Sequence, residues 1–296
     1  MIFQRLDKLP TKLGNRKKQP STNKQQRSNM MINPLMIKHL NSIDESSADM
    51  ITLNLEDGIS PSRKKEALHN IALFLSYLKH SKSFIVVRTN PLGEGAEEEI
   101  DYLNSLGFDA IRIAKIKTIE DIKKALSLIS QDKELHLSIE TKEAFNSLSS
   151  FGISSRVTTS YLGILDLLAD LGLPQSLIQL GNPTIDYILS KFLIDSKIAN
   201  LHPISFMYQD YNNTKEFRAW CEREKKLGFE SKASLGPKQV EIANEVFAKD
   251  YEAIERAKYI KEAFEINSQK GINGFMDKKY GFIDEPIYRD CLVVLG

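Results

Sequence analysis

The sequence has two cysteines, one tryptophan and no long apolar run. Cys221 and Cys291 show neither a metal-binding spacing nor a disulfide framework, and they suit a reducing compartment. No apolar stretch reaches the roughly 18 residues that a transmembrane helix needs. The N-terminal segment also lacks the apolar core of a signal peptide. We therefore expect a cytoplasmic protein without a membrane anchor.

The chain as a whole also lacks an excess of either charge, since its formal net charge is +1 over 296 residues. This balance gives no bias toward nucleic acid or membranes. Residues 1–29 differ, because eight basic residues and one acid give them +7 and leave −6 for the remainder. With little to bury, this segment is expected to be a flexible arm. The alternative is an arm that binds RNA or a protein, but interleaved aromatic residues, which would favour nucleic acid, are lacking.

From residue 30 onward, short apolar segments alternate with helical patterns. Strands are predicted at 30–32, 50–55, 84–88, 110–113, 135–139, 161–165, 204–208 and 232–235. The clearest helices are predicted at 62–78, 96–106, 119–129, 214–227 and 237–247. This order favours a (β/α)8 TIM-type barrel over residues 30–248, with a C-terminal helical extension or lid in 249–296. A doubly wound parallel sheet is the alternative.

Two carboxylates follow predicted strands. Glu140 comes directly after strand 135–139, and Asp166 comes directly after strand 161–165. The carboxyl ends of parallel strands meet at one edge, where TIM barrels carry their active sites. Because carboxylate oxygens are the ligands that hard divalent cations prefer, the sequence predicts a metal site at this edge.

Other charged residues follow three more predicted strands: Glu56 with Asp57, then Arg88, then Lys115. Each alone could be a solvated loop charge or part of a structural ion pair, but their succession favours a shared site. A guanidinium among carboxylates fits a site that binds a metal and an anionic substrate together. Lys115 could instead form a Schiff base, although the carboxylate pair favours a metal.

Several segments carry recognisable motifs in unbroken order from about residue 28 to 296. They are LNLEDGISP at 53–61, VVRTN at 86–90, IAKI at 113–116, IET at 139–141, LGILDL at 162–167, LGFESK at 227–232, GPKQV at 236–240, NEVF at 244–247 and GFIDEP at 281–286. In this order and spacing they resemble the D-L-E-D-x-V-x-P, V-R-V-N, L-P-K-V, I-E-T, L-G-x-E-D-L, G-F-x-G-K, H-P-x-Q-I, N-x-V-F and G-x-M-I-D-x-P motifs of citrate lyase β-subunit-like proteins. That group belongs to the HpcH/HpaI aldolases.

The resemblance implies a (β/α)8 barrel that assembles as a homotrimer or hexamer. It also implies an Mg²⁺-dependent carbon–carbon lyase that cleaves an acyl-CoA such as citryl-CoA, malyl-CoA or citramalyl-CoA. The products would be a 2-oxoacid and a short acyl-CoA. The alternative is a synthase that runs the reverse reaction and condenses these two compounds. Neither a membrane nor nucleic acid is an expected partner.

The resemblance also implies roles for individual residues. Glu140 and Asp166 would bind the metal, and Glu140 would also contact the substrate. Arg88 would bind substrate oxygens near the developing enolate. Asp284 would be the general acid–base, on a C-terminal segment that closes over a neighbouring subunit's site; the alternative is that it caps a helix or pairs with Arg289. Three further residues would orient Arg88 or metal-bound water without touching the metal: Glu56, Asp57 and Lys115.

The sequence also departs from the family motifs. Asn54 replaces the first Asp of D-L-E-D, Leu165 replaces the acid before the metal-binding Asp, Ala114 replaces a Pro and Gly236 replaces a His. The N-terminal V-P-G-x-R-P loop, which helps to hold CoA in the family, is poorly matched at 32–36. The metal and arginine positions are retained, so the departures concern the CoA side of the site.

Two other functions therefore stay open. One is an aldolase that cleaves free 2-oxo-4-hydroxy acids without CoA. The other is a non-catalytic barrel that binds RNA or a protein partner through its basic arm. Activity that saturates with acyl-CoA rather than with free acids separates the first from the lyase, and the retention of Arg88 and Asp284 argues against the second.

Overall fold

The computed structural model describes residues 12–14, 25–78 and 81–296. It contains two compact units, one ending at Phe247 and the other spanning Ala248–Gly296. Most of the segment predicted as a basic arm lies outside the described residues. Within the described ranges, no helix combines the length and apolarity needed to cross a membrane.

The first unit contains a parallel sheet. Its strands are β1 (Ser28–Ile32), β2 (Met50–Asn54), β3 (Phe84–Thr89), β4 (Ala110–Ile113), β5 (Glu134–Ile139), β6 (Val157–Leu162), β7 (His202–Ile204) and β8 (Lys232–Ser234). Each strand pairs in parallel with the next from β1 to β7, and β8 pairs with β1. A parallel bridge between Ser205 and Lys232 joins the two remaining edges. The prediction of a (β/α)8 barrel is confirmed, and the doubly wound alternative is wrong.

Helices connect the strands. They are α1 (Ile37–Asn41), α2 (Lys64–Tyr77), α3 (Ala96–Leu103), α4 (Ile119–Leu128), α5 (Lys142–Ser147), α6 (Ile164–Asp170), α7 (Pro183–Ile198), α8 (Thr214–Leu227) and α9 (Pro237–Val246). Local chemistry sets several ends. Thr118 and Asp121 form a capping box at the start of α4, and Gly228 ends α8 with a φ of 108°.

Alternation along the strands divides the apolar side chains between two cores. Ile111 and Ile113 of β4 belong to the main core, which also contains helix residues such as Ile122. Ala110 of β4 instead belongs to a smaller cluster of strand residues that includes Tyr161. Because successive side chains on a strand point to opposite faces, this smaller cluster fills the barrel interior.

Several predicted boundaries moved, including those of β1, β6 and β7. Strand β1 begins at Ser28, inside the segment predicted as the arm, and Arg27 there pairs with Asp49 at 2.8 Å. Strand β6 ends at Leu162, so Asp166 lies in the first turn of α6 rather than directly after a strand. Strand β7 ends at Ile204 rather than at 208. A short apolar run has the same pattern in a buried strand and in a buried helix turn, which explains the shift before Asp166.

The second unit contains α10 (Tyr251–Ser268), an antiparallel hairpin of β9 (Gly274–Asp277) and β10 (Gly281–Asp284), and α11 (Glu285–Leu295). Its own small core includes Ile260, Phe264, Ile283 and Cys291. The hairpin was not predicted, because its Gly-rich and Lys-rich sequence lacks a clear alternation of apolar residues.

Candidate active site

A cavity of about 400 Å³ lies at the carboxyl ends of the barrel strands. Asp57 after β2, Glu140 after β5, Asp166 in α6 and Leu235 after β8 all line it. Its volume lies within the range of small-molecule sites. The chain therefore places its cavity at the edge where TIM barrels carry active sites.

Arg88 and two glutamates form a buried ion cluster at this cavity. The Nη2 atom of Arg88 lies 3.3 Å from both carboxylate oxygens of Glu140 and 2.9 Å from Oε2 of Glu56. Burial acts to raise the pKa of Glu56, but Arg88 and hydrogen bonds from Asp57 outweigh it, so that pKa is lowered. Nε of Arg88 is buried without an acceptor among the described residues. The cluster is thus a fixed cation with a donor still unsatisfied.

Lys115 completes the cluster from the loop after β4. Its Nζ lies 3.4 Å from Oε1 of Glu56, and its backbone N–H donates to Oε1 of Glu140 at 2.8 Å. The residue has a φ of 51°, a left-handed conformation that is uncommon outside glycine and concentrated at functional sites. Burial acts to lower the pKa of Lys115, but Glu56 and Asp57 raise it overall. A lysine held as a cation is a poor Schiff-base nucleophile, so the structure favours the ion-pair interpretation.

Asn54, a departure from the family motif, supports the loop that carries Glu56 and Asp57. Its Nδ2 donates to the carbonyl of Asp57 at 2.6 Å, and its Oδ1 accepts from the backbone N–H of Glu56 at 3.3 Å. The backbone N–H of Asp57 donates to Oε2 of Glu56. Burial, with the hydrogen bond and charge of Glu56, raises the pKa of Asp57 to about 6. The amide therefore maintains the loop geometry that presents Glu56 to Arg88.

Asp166 and Glu140 are the two carboxylates predicted to bind a metal. Burial and the charge of Glu140 raise the pKa of Asp166. No hydrogen-bond donor to the Asp166 carboxylate is present in the described part of the chain. Lys115 and Arg88 act to lower this pKa but do not outweigh burial and Glu140, so a further cation beside Asp166 would stabilise its charge.

The donor set fits Mg²⁺. Magnesium binds through one or two carboxylates and keeps several positions for water and substrate oxygens. Among the described residues there is no group of three or more His, Cys, Asp or Glu side chains arranged for a metal. A site built on Glu140 and Asp166 would thus suit Mg²⁺, whereas zinc usually takes three or four protein ligands.

Arg112, a second guanidinium that lines the cavity, was not among the predicted site residues. Its side chain is in β4, is only 6% exposed, and lies over the ring of Tyr161 at 3.9 Å from its centroid. The available signal was a charged residue between two isoleucines in a predicted strand, since a barrel buries both faces of such a strand. In a barrel whose outer face is covered by helices, such a residue has to point inward.

Asp284, the predicted general acid–base, lies in the second unit. Its side chain caps α11 by accepting from the backbone N–H of Ile287 at 3.2 Å. Arg289 pairs with Glu285 rather than with Asp284. The structure therefore shows the capping role, and the catalytic role stays a prediction.

The chain is similar to several curated proteins. It is 26% identical over 226 residues to a (3S)-malyl-CoA thioesterase of Cereibacter sphaeroides, covering 76% of this chain and 78% of that protein. It is 25% identical to an L-malyl-CoA/beta-methylmalyl-CoA lyase of the same species, covering 76% and 80%. It is also 25% identical to the citrate lyase subunit beta of Leuconostoc mesenteroides, covering 86% of each.

Solved structures show the same fold. A citrate lyase from Burkholderia xenovorans superimposes with a TM-score of 0.77 at 17% identity, covering 96% of this chain and 92% of that one. The protein CitE from Mycobacterium tuberculosis, in complex with magnesium, acetoacetate and coenzyme A, gives 0.71 at 14% identity, covering 92% and 98%. The family model for HpcH/HpaI aldolase/citrate lyase matches residues 30–237. The predicted family is confirmed: the chain belongs to the HpcH/HpaI aldolase/citrate lyase family.

Proposed function

We propose that the protein is an Mg²⁺-dependent carbon–carbon lyase that cleaves an acyl-CoA of the malyl-CoA, citramalyl-CoA or citryl-CoA kind. The observation that carries the proposal is that two groups line the same cavity: a cation held in a fixed position, Arg88, and a carboxylate that lacks a hydrogen-bond donor among the described residues, Asp166. Arg88 is held by Glu56 and Glu140. Relatives named malyl-CoA lyase and citrate lyase subunit beta support the reaction class.

Arg88 would stabilise the charge that develops during cleavage. Breaking the bond between the carbinol carbon and the α-carbon of the thioester leaves an enolate and a 2-oxoacid. A guanidinium already oriented by Glu56 and Glu140 needs no reorganisation to meet that negative oxygen, and it acts in a buried site where such a contact is strong. Mg²⁺, when bound by Glu140 and Asp166, would supply a Lewis acid for the oxygens of the acid half.

Two proton transfers must accompany this step. The carbinol hydroxyl loses a proton, and the enolate carbon gains one. We propose Asp284 of a neighbouring copy as the carboxyl group that serves the enolate carbon, on a lid formed by residues 249–296. This role requires the first turn of α11 to give up or share its cap, because Asp284 accepts from the backbone N–H of Ile287 in the isolated chain.

A homotrimer or hexamer is part of the same proposal. The second unit exposes large apolar side chains that a partner subunit would cover. They include Met276 at 75%, Phe282 at 58% and Val293 at 80% exposure. A cytoplasmic location also stays a proposal, in keeping with two free, buried cysteines.

A CoA-independent aldolase is the second candidate. The cavity of about 400 Å³ has room for a small acid and only the reacting end of a thioester, and the family loop expected near residues 32–36 is poorly matched. Such an enzyme would use the same Arg88, Glu140 and Asp166 on free 2-oxo-4-hydroxy acids.

One assay separates these functions. Purified protein with Mg²⁺ is given malyl-CoA, citramalyl-CoA, citryl-CoA or the free 2-oxo-4-hydroxy acids. Trapping 2-oxoacid products with phenylhydrazine measures carbon–carbon cleavage of the acyl-CoA substrates, which have no free oxo group of their own. For the free 2-oxo-4-hydroxy acids, which react with phenylhydrazine themselves, chromatographic separation of the shorter 2-oxoacid product measures cleavage. A thiol reagent measures thioester hydrolysis. We expect phenylhydrazone from an acyl-CoA without an equal release of thiol. Product from free acids alone would establish the aldolase, and thiol release alone would establish a thioesterase.

A further inference from the structure

Arg112 is a buried cation that no carboxylate among the described residues contacts. Within the described chain, no carboxylate oxygen lies within 4 Å of its guanidinium, although the side chain is only 6% exposed. Its Nε donates to Oγ of Ser138 at 2.7 Å, and neither Nη atom has an acceptor among the described residues. Arg88, its register partner on β3, contrasts with it because two glutamates hold Arg88.

This arrangement is unfavourable for the protein alone. Burial, together with repulsion from Arg88, lowers the pKa of Arg112 to about 9 from 12.5. A buried charge is normally paired, because desolvation is costly and only a close counter-ion offsets it. Arg112 lines the cavity, so a counter-ion bound there can reach its guanidinium.

The guanidinium is also held in place. It lies 3.9 Å from the centroid of the Tyr161 ring. The Tyr161 hydroxyl lies 3.3 Å from Nδ2 of Asn29 and 3.2 Å from Nδ1 of His136, and both partners are fully buried. Because hydrogen bonds to its hydroxyl hold the Tyr161 ring in place, the orientation of the guanidinium that stacks on the ring is fixed too. A cation that is both unpaired and immobile is prepared for a ligand.

We propose that Arg112 binds a carboxylate of the acid half of the substrate, at the inner end of the cavity. This inference rests on the proposed function only in taking the cavity as the site for that acid. The carboxylate would be separate from the oxygens held near Glu140 and Asp166, so the 2-oxoacid product would carry a second carboxylate. A planar guanidinium with two free Nη atoms suits such a group, because it can bind it bidentately. Arg112 is thus a specificity-determining residue.

The test measures acid binding by calorimetry in Mg²⁺ buffer at constant ionic strength. The probes are oxaloacetate and L-malate, which have two carboxylates, and pyruvate, which has one. We expect the wild-type protein to bind the dicarboxylates at least about tenfold more tightly than pyruvate, and Arg112→Met to remove that difference. Arg218→Met, which removes a surface guanidinium paired with Glu245, is the matched control and should keep it.

Two further variants address folding. Arg112→Met removes an unpaired buried charge, so its melting temperature without ligand should equal or exceed that of the wild type. Ser138→Ala keeps the guanidinium but removes its Nε acceptor, and should weaken dicarboxylate binding several-fold with little effect on pyruvate. If the Met variant does not fold, the Ser138 variant still carries the test.

Three outcomes would overturn the inference: equal affinity of the wild type for the three acids, unchanged dicarboxylate affinity in both variants, or an equal loss for pyruvate and dicarboxylates. The phenylhydrazine assay keeps this result separate from the proposed function. If acyl-CoA is cleaved but Arg112 does not discriminate dicarboxylates from pyruvate, the inference is refuted and the lyase proposal stands. Arg112-dependent dicarboxylate binding without cleavage of any acyl-CoA refutes the lyase alone.

Discussion

Gly163 leaves the space that Glu140 occupies. A Cβ atom added to Gly163 would lie 2.5 Å from Oε2 and 2.6 Å from Cβ of Glu140, well inside normal contact. The φ of Gly163 is −89°, which other residues adopt readily, so the requirement is for space rather than for backbone freedom. The absence of a side chain at Gly163, directly after β6, thus determines the position that Glu140 can adopt after β5.

Gly163→Ala should therefore damage the site more than the fold. The added methyl group must displace Glu140 from its present position, because the close contact involves Cβ of Glu140 as well as its mobile carboxylate. Displacements of about 1 Å in catalytic groups cost roughly 10²-fold in rate. We expect kcat/KM for acyl-CoA cleavage to fall at least about tenfold, measured by phenylhydrazone formation. An unchanged kcat/KM would show that Glu140 has no fixed position in catalysis.

Asp166→Asn should raise the Mg²⁺ concentration needed for half-maximal activity. The amide keeps the shape of the side chain but loses the charge that attracts the cation, so we expect a shift of about 10- to 100-fold. Asp170→Asn is the matched control in the same helix, where the Asp170 side chain accepts from the backbone N–H of Lys142. Equal Mg²⁺ dependence in both variants would remove Asp166 from the metal site.

Lys232 and Glu224 form a fully buried ion pair at 2.6 Å, and Nζ also donates to the carbonyl of Phe206 at 2.9 Å. Glu224→Leu leaves the Lys232 charge unpaired, and we expect the free energy of unfolding to fall by about 3–5 kcal/mol in urea titrations. The double variant with Lys232→Met should recover much of this loss, since no buried charge remains.

The surface pair of Arg218 and Glu245 is the control for that experiment. It is largely exposed, so Glu245→Gln should leave the free energy of unfolding nearly unchanged. A double variant at 224 and 232 as unstable as Glu224→Leu would mean that packing, rather than the unpaired charge, sets the loss.

Acid should destabilise the barrel through His202. Burial, with the charges of Lys197 and His136, lowers its pKa to about 4 from 6.5. Below pH 6.5 the unfolded chain binds a proton that the folded chain refuses, so stability is complete above 6.5 and is lost as the pH falls toward 4. The loss from this group is about 3 kcal/mol, at about 1.4 kcal/mol for each pH unit.

His202→Asn should therefore flatten the pH profile of the free energy of unfolding between pH 6.5 and 4. The exposed His39 is the control, and His39→Asn should leave the profile unchanged. A wild-type profile with no decline over this interval would contradict the assignment.

The strand ends account for what could be predicted of the site. Glu56, Lys115 and Glu140 follow short apolar strands, and the barrel brings them into contact because parallel strands end at the same edge. Of the three, Glu140 lines the cavity. Asp166 reached that cavity by a different route, from the first turn of a helix. That Asp166 reaches the site could be predicted, but the helix that carries it could not, because the apolar run before Asp166 fits a buried strand as well as a buried helix turn.

Arg112 shows where local patterns fail. An arginine between isoleucines predicts a strand with one solvated face, which is correct for most antiparallel sheets. In this barrel, helices cover the outer face and the arginine lies inside, beside Arg88 and over Tyr161. The sequence by itself determined the order of strands and helices and the charged residues at their ends, because both depend on neighbouring residues. Only the closed barrel decided which charges are paired, which is unpaired and why Gly163 must be small, because those contacts join residues far apart in the chain.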